Sequence, residues 1–251
     1  MTRTSNYRAG SPARYLLVFI ALGALCGTAS ASTLTVAGVD NIYGAGFGST
    51  PGGAGSLPIA ISLAGGDQIL TFGITGGTNV CGSTWCVSFD NGGNFNDADG
   101  IGSASDMSNN ALNSLSGISA AHAGFLTGVF ESGTPSGSAP ASLDFTAVGS
   151  TGFSSLSPLL DQTFFIGDGL TGDGSGSVQN FIVPTGATTL YLGFADACGH
   201  HGDATGCYAD NVGSFEVAYS EIAGAPEPGT PGLLALAAAG LALLRRRAAS
   251  R

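Results

Sequence analysis

Short runs of β-favouring residues recur along most of this chain, and clusters of Gly, Ser, Asn and Asp separate them. Glycine supplies 42 of the 251 residues, well over twice its usual share of roughly 7%. The runs lie at 33–39, 57–63, 68–74, 84–89, 125–130, 142–148, 162–166, 178–183, 188–195 and 214–220. Short strands at such spacing predict an all-β fold, an antiparallel β-sandwich of the jelly-roll or galactose-binding-like kind.

The last run has the alternation of a strand that is buried on one face. Its apolar residues Phe215, Val217 and Tyr219 fall on one side, and polar or small residues fall between them. No window sustains a helical period apart from a short turn at 111–115. The stretch 90–124 is poor in strand signal, which predicts a long loop excursion. The chain has no internal repeat, so we expect one copy of the domain.

The basic residues are confined to the two ends of the chain. There is no Lys, and all seven Arg lie before residue 15 or after residue 244, so that 32–226 holds no cationic side chain except histidine. The same span carries every one of the 17 acids except Glu227. Such a surface cannot neutralise phosphates, which argues against nucleic-acid and nucleotide binding. Acids that repel one another without basic partners favour bound metal ions.

Residues 1–31 have the three parts of a secretory signal peptide. Arg3, Arg8 and Arg14 form a positive region, an apolar stretch follows at 15–26, and 29–31 reads Ala-Ser-Ala, a typical cleavage site. We therefore expect an exported protein whose folded domain covers 32–224.

Residues 225–251 contain a second processing signal. An apolar stretch at 231–244 is about 21 Å long as a helix, short for a ~30 Å hydrocarbon layer, which predicts transient membrane association. The flanking residues are Pro226, Glu227 and Pro228 before it, and Arg245, Arg246 and Arg247 after it. This tail resembles the PEP-CTERM sorting signal. The resemblance implies cleavage by an exosortase-type protease and delivery to the surface or extracellular matrix of a Gram-negative bacterium.

Four cysteines remain after removal of the signal peptide: Cys81, Cys86, Cys198 and Cys207. An even count in an exported chain favours disulfides, and four cysteines permit three connectivities. Proximity in the sequence favours Cys81–Cys86 and Cys198–Cys207, each closing a small loop. Thiolate ligation of a metal is the alternative.

Oxygen donors cluster where the last two apolar strands meet their connecting loop. Asp196 ends one strand, and Asp210 and Asn211 precede the next. A disulfide between Cys198 and Cys207 would bring these side chains together. Two carboxylates and an amide oxygen suit Ca²⁺. The alternative is a hairpin capped by Asp and Asn side chains, with solvated acids.

The blocks at 66–74, 181–184, 190–196 and 208–215 resemble the calcium-dependent, galactose-binding PA-I lectin family in order and spacing. The resemblance implies a calcium ion held by the side chains of Asp196, Asp210 and Asn211 and by backbone carbonyls of Cys207 and of a residue around Asn79. Sugar hydroxyls, bound beside Asp196 and Asp210, would complete the coordination. The sequence departs from the family at Asp210, where an Asn is usual. It also departs in its longer loop at 197–206 and throughout 90–160, so calcium is better supported than galactose. If no sugar binds, calcium would only brace a structural matrix protein.

Three further segments carry weaker metal-binding patterns. Residues 97–100 imitate part of an EF-hand loop, although no helices flank them. Residues 167–174 resemble a single copy of a calcium-binding nonapeptide, which needs several stacked copies. His200, His201 and Asp203 offer a transition-metal set. Each has a plain alternative as a solvated loop or turn.

Catalysis has little support in the sequence. His122 has no nucleophile motif beside it, and no Gly-x-Ser-x-Gly or His-Glu-x-x-His pattern occurs. Glycoside hydrolysis by paired carboxylates stays open because many pairings exist. We expect a binding or structural protein, with polysaccharide as the partner.

Overall fold

The computed structural model describes residues 31–65, 68–80, 96–100 and 106–223. Both predicted processing signals lie outside these residues, apart from Ala31, and so do the 84–89 run and the predicted Cys81–Cys86 disulfide. Within the described ranges, no helix is both long and apolar enough for a membrane span.

The described chain contains fifteen strands and three short 3-10 helices, joined by turns and loops. The strands are β1 (Ala31–Ala37), β2 (Ile59–Ser62), β3 (Gln68–Asn79), β4 (Met107–Asn109), β5 (Ile118–Ala120), β6 (Leu126–Glu131), β7 (Leu143–Phe145), β8 (Ser155–Leu156), β9 (Thr163–Phe165), β10 (Leu170–Gly172), β11 (Ser175–Val178), β12 (Asn180–Ile182), β13 (Thr189–Phe194), β14 (His201–Gly202) and β15 (Val212–Ala223). The 3-10 helices are Ile42–Gly44, Pro51–Gly53 and Cys198–His200. The prediction of an all-β fold is confirmed.

The strands form two larger sheets, a third small sheet and a hairpin. The first sheet has the order β1-β15-β3-β12-β8, and the second has the order β2-β13-β6-β9. The third is β14-β4-β5-β7, and β10 pairs with β11. The longest pairing joins β3 and β15 over their full length, from Asn79 opposite Val212 to Gln68 opposite Ala223.

Aromatic rings join the two larger sheets face to face. Phe194 of β13 stacks on Phe215 of β15 with ring centroids 5.5 Å apart, and Phe164 of β9 lies 5.7 Å from Phe181 of β12. All four rings are fully buried. Along β15, Phe215 and Val217 are buried whereas Glu216 is exposed, because successive side chains point to opposite faces of a strand. This contact between sheets is that of a sandwich.

The structure corrects the prediction for 90–124. Its described part contains β4 and β5, which pair with each other and with β14 and β7. Each has only three residues, too few for an alternation to register in the sequence. The expected helical turn at 111–115 is instead a tight turn closed by a bridge between Leu112 and Leu115, with Asn113 and Ser114 at positive φ.

Candidate metal sites

Tyr208 holds together the two ends of the loop that connects β13 to β15. Its side chain is fully buried. The hydroxyl group donates to the carbonyl oxygen of Phe194 at 3.0 Å and accepts from the backbone N–H of Asp196 at 2.9 Å. The end of β13 in one sheet is thereby fixed beside the segment that enters β15 in the other sheet.

Asp196 and Asn211 each contribute to this region one buried oxygen atom that has no hydrogen-bond partner among the described residues. Asp196 is 2% exposed and Asn211 is 4% exposed. The Asp196 Oδ1 atom accepts from the Ala197 N–H at 2.7 Å, and the Asn211 amide donates to the Gly38 carbonyl at 2.8 Å. Asp196 Oδ2 and Asn211 Oδ1 have no hydrogen-bond partner within the described part of the chain. Buried polar atoms nearly always have a hydrogen-bond partner, so two buried oxygens without one are unusual. Both oxygens are available as ligands for a cation.

Burial raises the pKa of Asp196, because the charged form loses its hydration. His200, Asn211 and the Ala197 N–H oppose this effect by favouring the carboxylate. The His200 Nδ1 atom lies 3.6 Å from Asp196 Oδ1. No Lys or Arg occurs in 32–226 to neutralise this carboxylate. Its charge is therefore compensated only in part by the protein itself.

The other predicted ligands differ in how close they lie to this pair. Asn79 is buried and lies opposite Val212, one residue from Asn211. Cys207 has a positive φ of 62° and bonds to Cys198. Asp210 is exposed, and neither a hydrogen bond nor an ion pair joins it to Asp196 among the described residues. The structure thus brings together Asp196 and Asn211, with Asn79 nearby, and leaves Asp210 at the surface.

The Cys198–Cys207 disulfide is present, as the sequence predicts. In the loop that this disulfide closes, the side chain of His200 contacts a different part of the protein from those of His201 and Asp203. His200 faces Asp196, whereas the His201 Nε2 atom lies 3.9 Å from Asp106 and Asp203 accepts from the Asn110 amide at 2.8 Å. Among the described residues, His200, His201 and Asp203 therefore do not form one metal-binding group.

A second group of donors forms where two weaker sequence patterns meet. Carboxylate oxygens of Asp97, Asp99 and Asp173 all lie within 4.8 Å of one another, so these three residues could hold a metal ion. The Asp168 N–H donates to Asp99 Oδ1 at 3.0 Å and joins the two segments. Asp168 itself accepts from the Gly174 N–H at 2.8 Å, which shapes the turn that carries Asp173. The sequence pointed to each segment but not to their contact.

The carboxylates of this group disfavour one another's charge. Burial, followed by the charge of Asp173 and a hydrogen bond with it, raises the pKa of Asp97 to about 6. Burial is also the main cause that raises the pKa of Asp99 to about 7, and the charges of Asp168, Asp97 and Asp173 add to it. A bound cation would relieve this repulsion.

A cavity of about 360 Å³ adjoins the same acidic group. Asp99 and Asp173 are among its lining residues, together with His122, Phe145 and Phe165. The Nδ1 atom of His122 is buried without a hydrogen-bond partner in the described chain. That nitrogen therefore has no hydroxyl or carboxylate partner of the kind found in a nucleophile–base pair.

No protein-family model, curated protein or solved structure matches this chain. The resemblances to the sorting signal and to the lectin family therefore stay predictions.

Proposed function

We propose that this protein is an exported, calcium-binding β-sandwich of the bacterial surface or matrix, in which a calcium ion at Asp196 and Asn211 braces the fold. The observation that carries the proposal is the pair of buried oxygens, Asp196 Oδ2 and Asn211 Oδ1, that have no partner in the described chain. The signal-peptide pattern of residues 1–31 and the sorting-signal pattern of residues 225–251 support export, and the acidic domain without Lys and Arg supports cation binding.

The donor chemistry favours calcium over a softer metal. Carboxylate and amide oxygens are ligands that Ca²⁺ takes readily, and it accepts irregular sets of six to eight of them. The disulfide occupies the only two cysteines of the described chain, so no thiolate is available there. The His200 imidazole lies 3.6 Å from Asp196 Oδ1 and could supply a nitrogen ligand, which makes zinc the natural competitor in a test.

The location of the pair explains why a cation would stabilise the fold. Asp196 follows β13 and Asn211 precedes β15, and these strands belong to different sheets. A cation bound to both side chains would tie the sheets together at this end. It would also compensate a buried carboxylate, which costs several kcal/mol when left unpaired.

Carbohydrate binding is the second candidate function, and one observation favours it. Asp210 stays exposed beside the buried Asn211, so a polar acceptor is available to a sugar at the surface of the site. Against it, Asp196 is only 2% exposed, which leaves little room for a sugar hydroxyl to reach a cation held there.

Thermal unfolding of the metal-free full chain, with and without added calcium, tests the proposal. Calcium should raise the melting temperature, since a ligand at 100 times its Kd stabilises the native state by about 2.7 kcal/mol. The rise should be lost in Asp196→Asn and kept in Glu216→Gln, an exposed control. A rise that persists in Asp196→Asn but disappears in Asp173→Asn would place calcium at the other acidic group. Stabilisation by zinc alone would refute calcium.

A glycan array probed with the calcium-loaded chain separates the two candidates. Calcium-dependent glycan signals that Asp210→Ala removes would favour carbohydrate binding. Calcium stabilisation without any glycan signal would favour the bracing role.

A further inference from the structure

The residues that line the cavity beside Asp99 and Asp173 are of two kinds, apolar and polar. Its apolar part includes the rings of Phe145 and Phe165, whose centroids lie 5.6 Å apart, and the methyl group of Ala120. Its polar part includes the Asp99 and Asp173 carboxylates and His122. A volume of about 360 Å³ falls in the usual range for small-molecule sites, which are mostly apolar with a few convergent polar groups.

The charges around the cavity favour a positively charged ligand over a negatively charged one. Asp99 and Asp173 have carboxylate oxygens within 4.8 Å of each other, and no Lys or Arg exists in 32–226 to balance them. An anionic ligand would meet two like charges. A cationic ligand would relieve the repulsion that these carboxylates exert on each other.

The apolar lining of the cavity favours an organic cation over a bare metal ion. A bare metal ion needs oxygen ligands and only the space of a single atom, and it would leave the aromatic part of the cavity unfilled. An ammonium group on an apolar body uses both parts, because the body packs on the two phenylalanine rings and the cation is attracted to ring faces as well as to carboxylates.

We propose that this cavity is a binding site for a small organic amine, with the ammonium group on Asp99 and Asp173 and the apolar body on Phe145 and Phe165. Neither Asp196 nor Asn211 lines this cavity, so the proposal does not depend on calcium at those residues. Asp173 is the most useful residue for a test because its side chain is exposed. A neutral replacement there leaves intact the hydrogen bond that Asp99 accepts from Asp168.

Calorimetric titration of the full chain with benzylamine tests this proposal, with benzyl alcohol as the uncharged probe of the same shape. Benzylamine should bind at least about tenfold more tightly than benzyl alcohol, since one charge-assisted hydrogen bond corresponds to a factor of this order. Asp173→Asn should weaken benzylamine binding by about tenfold and leave benzyl alcohol unchanged. Glu216→Gln, an equal loss of charge on an exposed strand, should leave both probes unchanged.

A second variant tests the position of the site. Ala121→Leu adds volume at the lining of the cavity and should weaken both probes, while Asp196→Asn should affect neither. Equal affinities for the two probes would overturn the proposal, as would an equal weakening by Glu216→Gln and Asp173→Asn. Calcium binding that is lost in Asp173→Asn, with no benzylamine binding, would also overturn it and would identify a metal site instead.

Discussion

Glu131 is a buried acid whose proton should control the stability of the domain. It ends β6, is 1% exposed, and has one carboxyl oxygen without a partner in the described chain. Burial, followed by the adjacent Asp161 carboxylate, raises the pKa of Glu131 to about 9. The side chain is therefore neutral at physiological pH.

The sign of the pH dependence follows from this pKa. The unfolded chain has the ordinary Glu value of about 4.3, so the folded state retains a proton that the unfolded state loses. The contribution of protonated Glu131 to the free energy of unfolding is fully present below about pH 4 and is lost as the pH rises through about 9. Each pH unit between these limits changes the free energy of unfolding by about 1.4 kcal/mol. From about pH 5 to about pH 8 the loss from this residue is at most about 4 kcal/mol.

Glu131→Gln removes the titration and keeps the shape of the side chain. The amide is neutral at every pH and can donate to Asp161 as the protonated acid does. Urea unfolding in metal-free buffer at several values from about pH 5 to about pH 8 measures the effect. The variant should gain stability over the wild type as the pH rises, by up to about 4 kcal/mol across this range. Glu216→Gln, which changes an exposed acid, should track the wild type. Curves for Glu131→Gln and wild type that stay parallel would refute the reasoning.

Three other predictions concern the disulfide, a close backbone contact and the charge distribution. Replacing both Cys198 and Cys207 by Ser should lower the free energy of unfolding by about 3 kcal/mol, as loop-closure entropy predicts for their sequence separation of 9; equal urea midpoints would contradict this. Gly193→Ala should cost about 1–3 kcal/mol, because its Cβ would lie 2.6 Å from a backbone oxygen. Gly48→Ala, with open space around it, is the control, and equal losses would exclude a steric cause. Trypsin should not cut 32–226 even after denaturation, because the span has no Lys or Arg; peptide mass mapping of secreted material would reveal both processing sites, and intact end segments would argue against processing.

The sequence predicted the strands whose alternation is long enough to read. β15 is one example, since Phe215 and Val217 are buried as the period of two requires. β4 and β5 escaped prediction because three residues carry no recognisable period. Their pairing depends on partners that only the folded chain supplies.

The same distinction applies to the candidate sites. The proximity of Asp196 and Asn211 could be predicted from the sequence because the two residues flank one loop that a disulfide closes. Asp99 and Asp173 could not, because their contact depends on how two distant turns meet over the sandwich. The burial of Glu131, and so its raised pKa, also has no signature in the sequence.

The pairing of β1 with β15 brings the two ends of the described domain together. Ala31 lies opposite Ser220, so the chain enters and leaves the sandwich at the same pole. Asn211 adjoins the other end of β15, whose 12 residues extend over about 37 Å from the first Cα to the last at about 3.4 Å per step. If the C-terminal segment attaches the protein to a surface, as the sequence predicts, Asp196 and Asn211 would lie at the end of the domain farthest from that attachment.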